Sequence, residues 1–393
     1  MKKLFLLSAN IVIFVLLLSA CSGGSKTSSH IDDTEGDSLC FRYAENISIV
    51  KFDKYYKVTL RNPWDTLKTL RTYILVERHD NEGKDNNIVP GQNFKDATIV
   101  NIPIEKAVIY SSVHCSLIDE LGAIESIAGI CDMKYVNVKN ITELYNQGKI
   151  ADCGEGMNPD IEKIIDIQAD AIMLSPFENS GGYGRVENLN IPIIECADYM
   201  ETSSLGRAEW IKFYGLLAGK AKEADSLFSK VEKEYLQLKD LAMNVDKHPT
   251  VITEMKYGSA WYVPAGNSTM CKTLTDAGAK YIFDYTEGSG SKPLSFETVF
   301  DKGQKADFWL IKYNQTTDKT YSELASDYSP YKNFYAWKNR KIYGCNTRYV
   351  NFYEESPFHP EKLLKDLILI FHPELKGHGL PENSETNYFT PLK

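Results

Sequence analysis

Twice along this chain, short apolar runs alternate with segments whose apolar residues recur every three or four positions, and that alternation restricts the fold more than any other feature. The first block opens with AVIY at 107–110, a polar turn at Ser111 and Ser112, and a periodic segment to Leu121. It continues through 126–130 to Cys131 and Asp132, a helical pattern at 159–167 before AIMLSP, and a helix ending at 186–189 before PIIEC. The second block follows His248 and Pro249: TVITEMKY, WYVPAG, a helix over 270–277, YIFDY, a helix through SFETVF, ADFWLIKY, KIYGCN and a helix over 360–371. Continuous apolar strands interleaved with helices require parallel sheets covered on both faces. Between the blocks, Trp210, Phe213, Tyr214, Leu217, Ala221, Ala224, Leu227, Phe228, Val231, Tyr235 and Leu238 keep steps of three and four, which predicts one long amphipathic helix with Gly219 as a candidate break. The fold class expected is α/β: two Rossmann-like lobes, 98–203 and 249–375, joined by a long helix within 204–248.

Residues 39–78 follow a different rule, period-two alternation with Tyr, Ile, Val and Thr, which predicts antiparallel strands and an N-terminal β extension over 39–97. The polar stretch 376–393 is expected to drape over the surface. At the other end, Lys2 and Lys3 precede an apolar run ending at Leu18, and Leu18-Ser19-Ala20-Cys21 reads as a lipobox. The run is shorter than the roughly 20 residues a membrane-crossing helix needs. The expectation is therefore a signal peptide over 1–20, a lipid anchor on Cys21 and a flexible Ser/Gly-rich tether over 21–38, with the mature protein facing the periplasm or the exterior of a single-membrane cell.

The formal charge is −9, and loss of Lys2 and Lys3 makes it two units more negative, which argues against nucleic acid as a partner. Seven cysteines besides Cys21, with no CxxC pair, exclude a disulfide framework or a zinc ribbon and read mostly as small buried hydrophobes, one bridge remaining open. No GxSxG, Walker A, HExxH or dinucleotide fingerprint occurs, so no catalytic residue is assigned and no cofactor is expected.

Five stretches then carry a resemblance: HCSLIDELGAIESIAGICD, PDIEKIIDIQADAIML, TDAGAKYIFDY, LSFETVFDKGQKADFWL and ESPFHPEKLLKDLILIFHPEL, in that order. Two lobes, one linking helix and a lipoprotein leader carrying these blocks resemble the metal-chelate substrate-binding proteins of ABC importers, which capture cobalamin, ferric siderophores and haem. The resemblance spans about 98–375 and leaves the N-terminal extension outside it. Ala169 stands where the family usually has proline, and the SPFENSGGYGR loop is Gly-rich, so ligand preference does not transfer from any one relative. The resemblance implies a monomer delivering its cargo to an ABC permease and its ATPase subunits, with an acid on each lobe for docking; Glu187 and Glu323 are the candidates.

In open α/β sheets ligands sit beyond the carboxyl ends of the strands. Candidates there are Ser112, His114, Phe177, Tyr183, Arg185 and Tyr199 in lobe one, and Tyr257, Trp261, Tyr262, Tyr313 and Arg348 in lobe two, with Tyr110, Asp132 and Tyr349 among their neighbours. This aromatic, cation-poor set suits a large flat ligand. A strongly anionic catecholate would want more than Arg185, Lys312 and Arg348, so a corrinoid is favoured slightly over siderophore or haem. The rival is a bare zinc or manganese ion, which needs three or four convergent ligands where only His114 is placed to serve.

Overall fold

The computed structural model describes residues 36–78, 94, 96–178 and 182–393. The leader, Cys21, most of the tether, most of the 80–95 loop, and Ser180 and Gly181 lie outside these described residues.

The first sheet has five strands in chain order: β1 (Asp37–Ser38), β2 (Ile47–Lys51), β3 (Tyr56–Arg61), β4 (Thr69–Glu77) and β5 (Thr98–Ile102). The first four pair antiparallel, as the alternation requires, and β5 joins β4 in parallel. Lobe one therefore begins after residue 102 and not at 98, because Thr98–Ile102 completes the extension's sheet.

Lobe one comprises β6 (Ala107–Ile109), α1 (Ser112–Glu120), β7 (Ile127–Ile130), α2 (Lys139–Asn146), β8 (Ala151–Asp152), the short antiparallel pair β9 (Gly154–Glu155) and β10 (Asn158–Pro159), α3 (Ile161–Ile167), β11 (Ala171–Leu174) and β12 (Ile193–Glu195). Its sheet has the order β12-β11-β6-β7-β8, parallel throughout. Every residue of β6 and β11 is buried, the condition for a strand covered on both faces. The predicted helix ending at 189 is instead a 3-10 segment, Gly184–Leu189.

The linking region is three helices: α4 (Ser204–Glu209), α5 (Ile211–Leu217) and α6 (Ala221–Met243). The predicted single helix stops at Gly219 (φ +67°). There the Lys220 amide donates to the Gly215 carbonyl and the Gly219 amide to that of Leu216, a Schellman arrangement that satisfies the freed carbonyls. Helix α5 belongs to lobe one's core through Ile211, Phe213 and Tyr214. The unbroken 23-residue α6 places Ala224 in that core, then Phe228, Val231 and Tyr235 in lobe two's.

Lobe two contains β13 (Thr250–Thr253), β14 (Lys256–Tyr257), β15 (Ala260–Pro264), α7 (Thr269–Asp276), β16 (Lys280–Tyr281), β17 (Ser291–Leu294), α8 (Phe296–Gly303), β18 (Phe308–Tyr313), α9 (Tyr321–Asp327), α10 (Tyr335–Lys338), β19 (Ile342–Asn346), α11 (Phe352–Glu355), α12 (Pro360–Phe371) and β20 (Thr390–Pro391). The main sheet runs β16-β13-β18-β19-β20, and β14, β15 and β17 form a separate antiparallel sheet. The expected surface tail is part of this lobe: β20 pairs with β19, and Tyr388 and Phe389 are buried. The buried Asp366 carboxylate explains why, accepting the amides of Asn387 (2.6 Å), Tyr388 (2.6 Å) and Phe389 (3.2 Å).

The extension is not a separate body. Its Ile47, Ile49, Val58, Leu60, Tyr73 and Leu75 share one core with lobe one. The Tyr73 hydroxyl meets β12, donating to the Ile193 carbonyl (3.1 Å) and accepting the Glu195 amide (2.8 Å), so the extension covers lobe one's free strand edge. Two buried acids hold its start. Glu209 accepts the amides of Arg42, Tyr43 and Ala44 at 2.8–3.0 Å, and Glu201 those of Glu45 and Asn46 at 2.9 Å. Tyr43 goes further, donating its hydroxyl to Glu232 on α6 (2.6 Å). Glu209→Ala strands three amides, and we expect it to cost about 3–5 kcal/mol, read as a lower urea midpoint at unchanged slope.

Candidate functional site

The carboxyl ends of the parallel strands carry a set of exposed rings. In lobe one these are Tyr135 after β7, Phe177 after β11 and Tyr199 after β12, joined by Met157 after β8, which is 88% exposed. In lobe two they are Tyr257 (81% exposed) and Tyr262 beyond β13, Tyr285 after β16, and Tyr349 and Tyr353 after β19. Water-exposed apolar area concentrated at one end of two sheets marks a binding surface.

The two faces meet. Ser112, at the start of α1 just past β6, donates its hydroxyl to Glu354 of α11 (3.1 Å). Beside it His359 bridges Glu120 of lobe one (2.7 Å) and Glu361 of α12 (2.9 Å). Burial opposes charge on His359, but the hydrogen bonds to Glu120 and Glu361 hold its pKa up at about 9, so the seam is an ionic one at neutral pH. Phe358 from the same segment is buried in lobe one's core.

The predicted residues divide. Phe177, Tyr199 and Tyr257 stand exposed just past strand ends, Tyr262 on the exposed face of β15, Arg185 in the 3-10 segment Gly184–Leu189 and Arg348 two residues past β19, neither arginine with an acidic partner within ion-pair distance among the described residues. The Tyr199 hydroxyl is held by the Pro176 carbonyl, which fixes the ring against the loop that carries Phe177. Ser112 is committed to the seam and is not a free ligand group.

Three placements, His114, Trp261 and Tyr313, need correction. His114 is 3% exposed, with Nε2 2.9 Å from Asp198 Oδ1 and its ring between Tyr214 and Phe358, so it ligates nothing in the cleft. Trp261 is fully buried, packed in tilted and edge-on contacts among Trp309, Tyr331 and Phe334, its indole donating to the Thr253 carbonyl (2.9 Å). Tyr313 turns inward, its hydroxyl accepting the Lys319 amide (3.1 Å) under the Lys319 ammonium. Tyr183 is half exposed, its hydroxyl donating to the buried Glu195 (3.1 Å), which also pairs with Arg71 of the extension (2.7 Å). Lys312 is likewise not a free cation, being paired with Glu254.

Of the docking candidates, Glu187 is exposed and accepts the Tyr183 amide (3.0 Å). Glu323 is exposed too and completes a capping box with Thr320 at the start of α9.

Tyr135, Met157, Tyr285 and Tyr353 were passed over by the sequence reading. A signal for three of them exists: exposed residues recur four or five positions past a strand end, as from Ile130 to Tyr135, Asp152 to Met157 and Tyr281 to Tyr285, whereas Tyr353 lies seven positions past Asn346, on α11. Among the described residues, no three His, Cys, Asp or Glu side chains converge as a metal-holding group. Cys40 is exposed, the other six described cysteines are buried, and none is bridged. A cavity of about 480 Å³ exists on the α6–α12 flank, lined by Glu234, Leu241 and Lys365 among others and by no strand-end residue.

Two α/β lobes whose strand ends converge on a ring-lined face, joined by helix and not by crossing strands, define a helix-linked solute receptor. The sequence matches the periplasmic binding protein family over residues 107–349, more than half of the chain, and the protein belongs to that family. It is 27% identical over its whole length to an uncharacterized lipoprotein of Methanocaldococcus jannaschii, covering 99% of that chain, and 25% identical to a second from the same organism over 96% of this chain and 97% of the other. Among solved structures, a periplasmic heme binding protein from Pseudomonas aeruginosa superposes with a TM-score of 0.57 at 13% identity, covering 74% of this chain and 98% of that one. A possible iron-binding periplasmic solute-binding protein from Staphylococcus epidermidis gives 0.54 at 18%, covering 69% and 99%. These structural likenesses establish the two-lobed fold; the part they leave uncovered is consistent with the extra N-terminal sheet.

Proposed function

We propose that the protein is the lipid-anchored receptor of an ABC importer, binding a metal chelate between its lobes and handing it to a membrane permease and its ATPase subunits, with a corrinoid as cargo. The observation that carries the cargo reading is the ring-lined strand-end face: nine exposed apolar or aromatic residues named above against three exposed cations, Arg185, Arg348 and Lys134, the last lying over the Tyr135 ring and paired with Glu155. Tyrosine supplies a stacking face together with a hydroxyl, which suits a large flat ligand edged with polar groups. A highly anionic ferric complex would leave most of its charge unpaired there. Anchoring rests on the lipobox at Cys21, and the two relatives named as lipoproteins are in keeping with it.

Delivery is tested by charge reversal. Glu187→Lys combined with Glu323→Lys should leave cargo affinity unchanged and abolish stimulation of the partner permease's ATPase in proteoliposomes. Full stimulation by the double variant removes both residues from the docking surface. Because Glu323 caps α9, a Tm drop of a few degrees is expected as well, from a cap worth about 1 kcal/mol.

A further inference from the structure

One ion pair at the carboxyl ends of lobe two's central strands has an unusual construction. Glu254 is the first residue past β13 and adopts φ +68°, the left-handed region that side-chain-bearing residues avoid. Its backbone is locked there, the amide donating to the Leu310 carbonyl (2.9 Å) and the carbonyl accepting the Trp309 indole (2.8 Å). The carboxylate takes a hydrogen bond from the ammonium of Lys312, on the neighbouring strand β18 of the same sheet. Both side chains keep a fraction of their surface open, 24% and 15%. The Lys312 ammonium also lies 5.5 Å from the centre of the Phe352 ring, and burial, which disfavours its charge, is outweighed by Glu254. The exposed Tyr353 sits within the field of both charges.

A partly buried pair of this kind is seldom needed for stability, since apolar residues of equal volume usually serve as well. Held in a strained backbone position at the end of a central strand, beside an exposed ring, it has the attributes of a preorganised contact. We propose that Glu254 and Lys312 form a polar subsite of the cleft that takes a neutral carboxamide of the cargo, Glu254 accepting its N–H and Lys312 donating to its oxygen. The assignment rests on the corrinoid reading above and deepens it. A carboxylate in the same place would face Glu254 and lose one of the two bonds.

The test is calorimetric titration of the full-length, detergent-solubilised protein with cyanocobalamin and with its isolated monocarboxylic acid isomers, in each of which one peripheral carboxamide is hydrolysed. We expect the wild type to bind at least one isomer tenfold or more weaker than cyanocobalamin, and Glu254→Gln combined with Lys312→Met to lose tenfold or more toward cyanocobalamin while melting as a folded protein. All isomers binding within twofold of cyanocobalamin would overturn the subsite, as would a folded double variant within twofold of wild type. If the double variant does not fold, the isomer series on the wild type decides alone. A wild type that shows no heat with cyanocobalamin overturns the carboxamide assignment together with the cargo reading, and that failure is recognised from the wild-type trace before any variant is made.

Discussion

Asp198→Ala should be among the most damaging single substitutions, costing about 3–5 kcal/mol. The buried Asp198 carboxylate accepts from the Tyr214 hydroxyl (2.7 Å) and Arg207 Nε (2.9 Å) and contacts His114 Nε2 (2.9 Å). Its removal leaves a buried imidazolium and a buried phenol unpartnered in lobe one's core. Burial works against charge on both His114 and Asp198. It is outweighed at His114 by the Cys196 sulfur and the Asp198 carboxylate, which carry its pKa up to about 10, and at Asp198 by His114 and Arg207, which hold its pKa well below the usual range. The raised His114 value means that its stabilising contribution is complete below the unfolded pKa of about 6.5 and fades as the pH climbs through about 10. Asp198 contributes the other way: present above about 4, lost in acid. Urea unfolding at steps from pH 6 to pH 10 should therefore show a declining stability in the wild type and a flatter profile in His114→Gln. Equal slopes in the two proteins would mean that His114 is neutral in the native state.

The second large effect falls on binding. Tyr257→Ala combined with Tyr262→Ala should weaken cargo by about 2–4 kcal/mol, thirtyfold or more, if the two rings anchor it. Stability should change little, because both rings are exposed. Trp261→Ala should behave oppositely, lowering stability by about 3–5 kcal/mol through the cavity it leaves, with binding altered only as far as the fold is disturbed. Calorimetric titration and thermal melts of the same preparations separate the two patterns. Normal binding by the double tyrosine variant would place the cargo on some other surface.

That contrast shows what the sequence does and does not carry. Apolar run length and helical period were enough for lobe one's parallel sheet and the parallel core β16-β13-β18-β19 of lobe two, since buried strands and amphipathic helices are local patterns, but not for WYVPAG, which lies in a separate antiparallel sheet. Period-two alternation was also present in AWYVP, and applied there it puts Trp261 and Val263 on one face and Tyr262 on the other, as β15 does. Reading Trp261 and Tyr262 together as cleft residues ignored it. His114 was misplaced for a different reason: its partner Asp198 is 84 positions away, and no local pattern announces a pairing across that distance. The break at Gly219 was visible as a glycine, but whether the helix would pass through it depended on the two lobe cores that α5 and α6 serve. The buried tail and the clamped N-terminal segment escaped for the same cause, being held by Asp366, Glu209 and Glu201 from distant elements.

The extension has a structural explanation that the resemblance alone lacked. It closes the edge of β12, and Arg71 joins Glu195 and Tyr183 beside the rim of the cleft. Residues 42–46 bind acids on or just before the linker helices, including Glu232 on the helix shared by the two lobe cores. These contacts, with the Ser112–Glu354 and Glu120–His359 seam, favour a small lobe rotation on ligand binding over a wide clamshell. Small-angle scattering should accordingly show only a slight fall in radius of gyration when cargo is added.

The most direct test of the central claim, capture of a corrinoid without turnover, is the absorbance spectrum of the purified protein after incubation in turn with cyanocobalamin, haemin and a ferric hydroxamate, each followed by desalting. The account predicts that the corrinoid bands stay with the protein at close to one equivalent and unaltered chemically, while the other two chromophores are left behind. Retention of haemin or the ferric complex with loss of the corrinoid would contradict it.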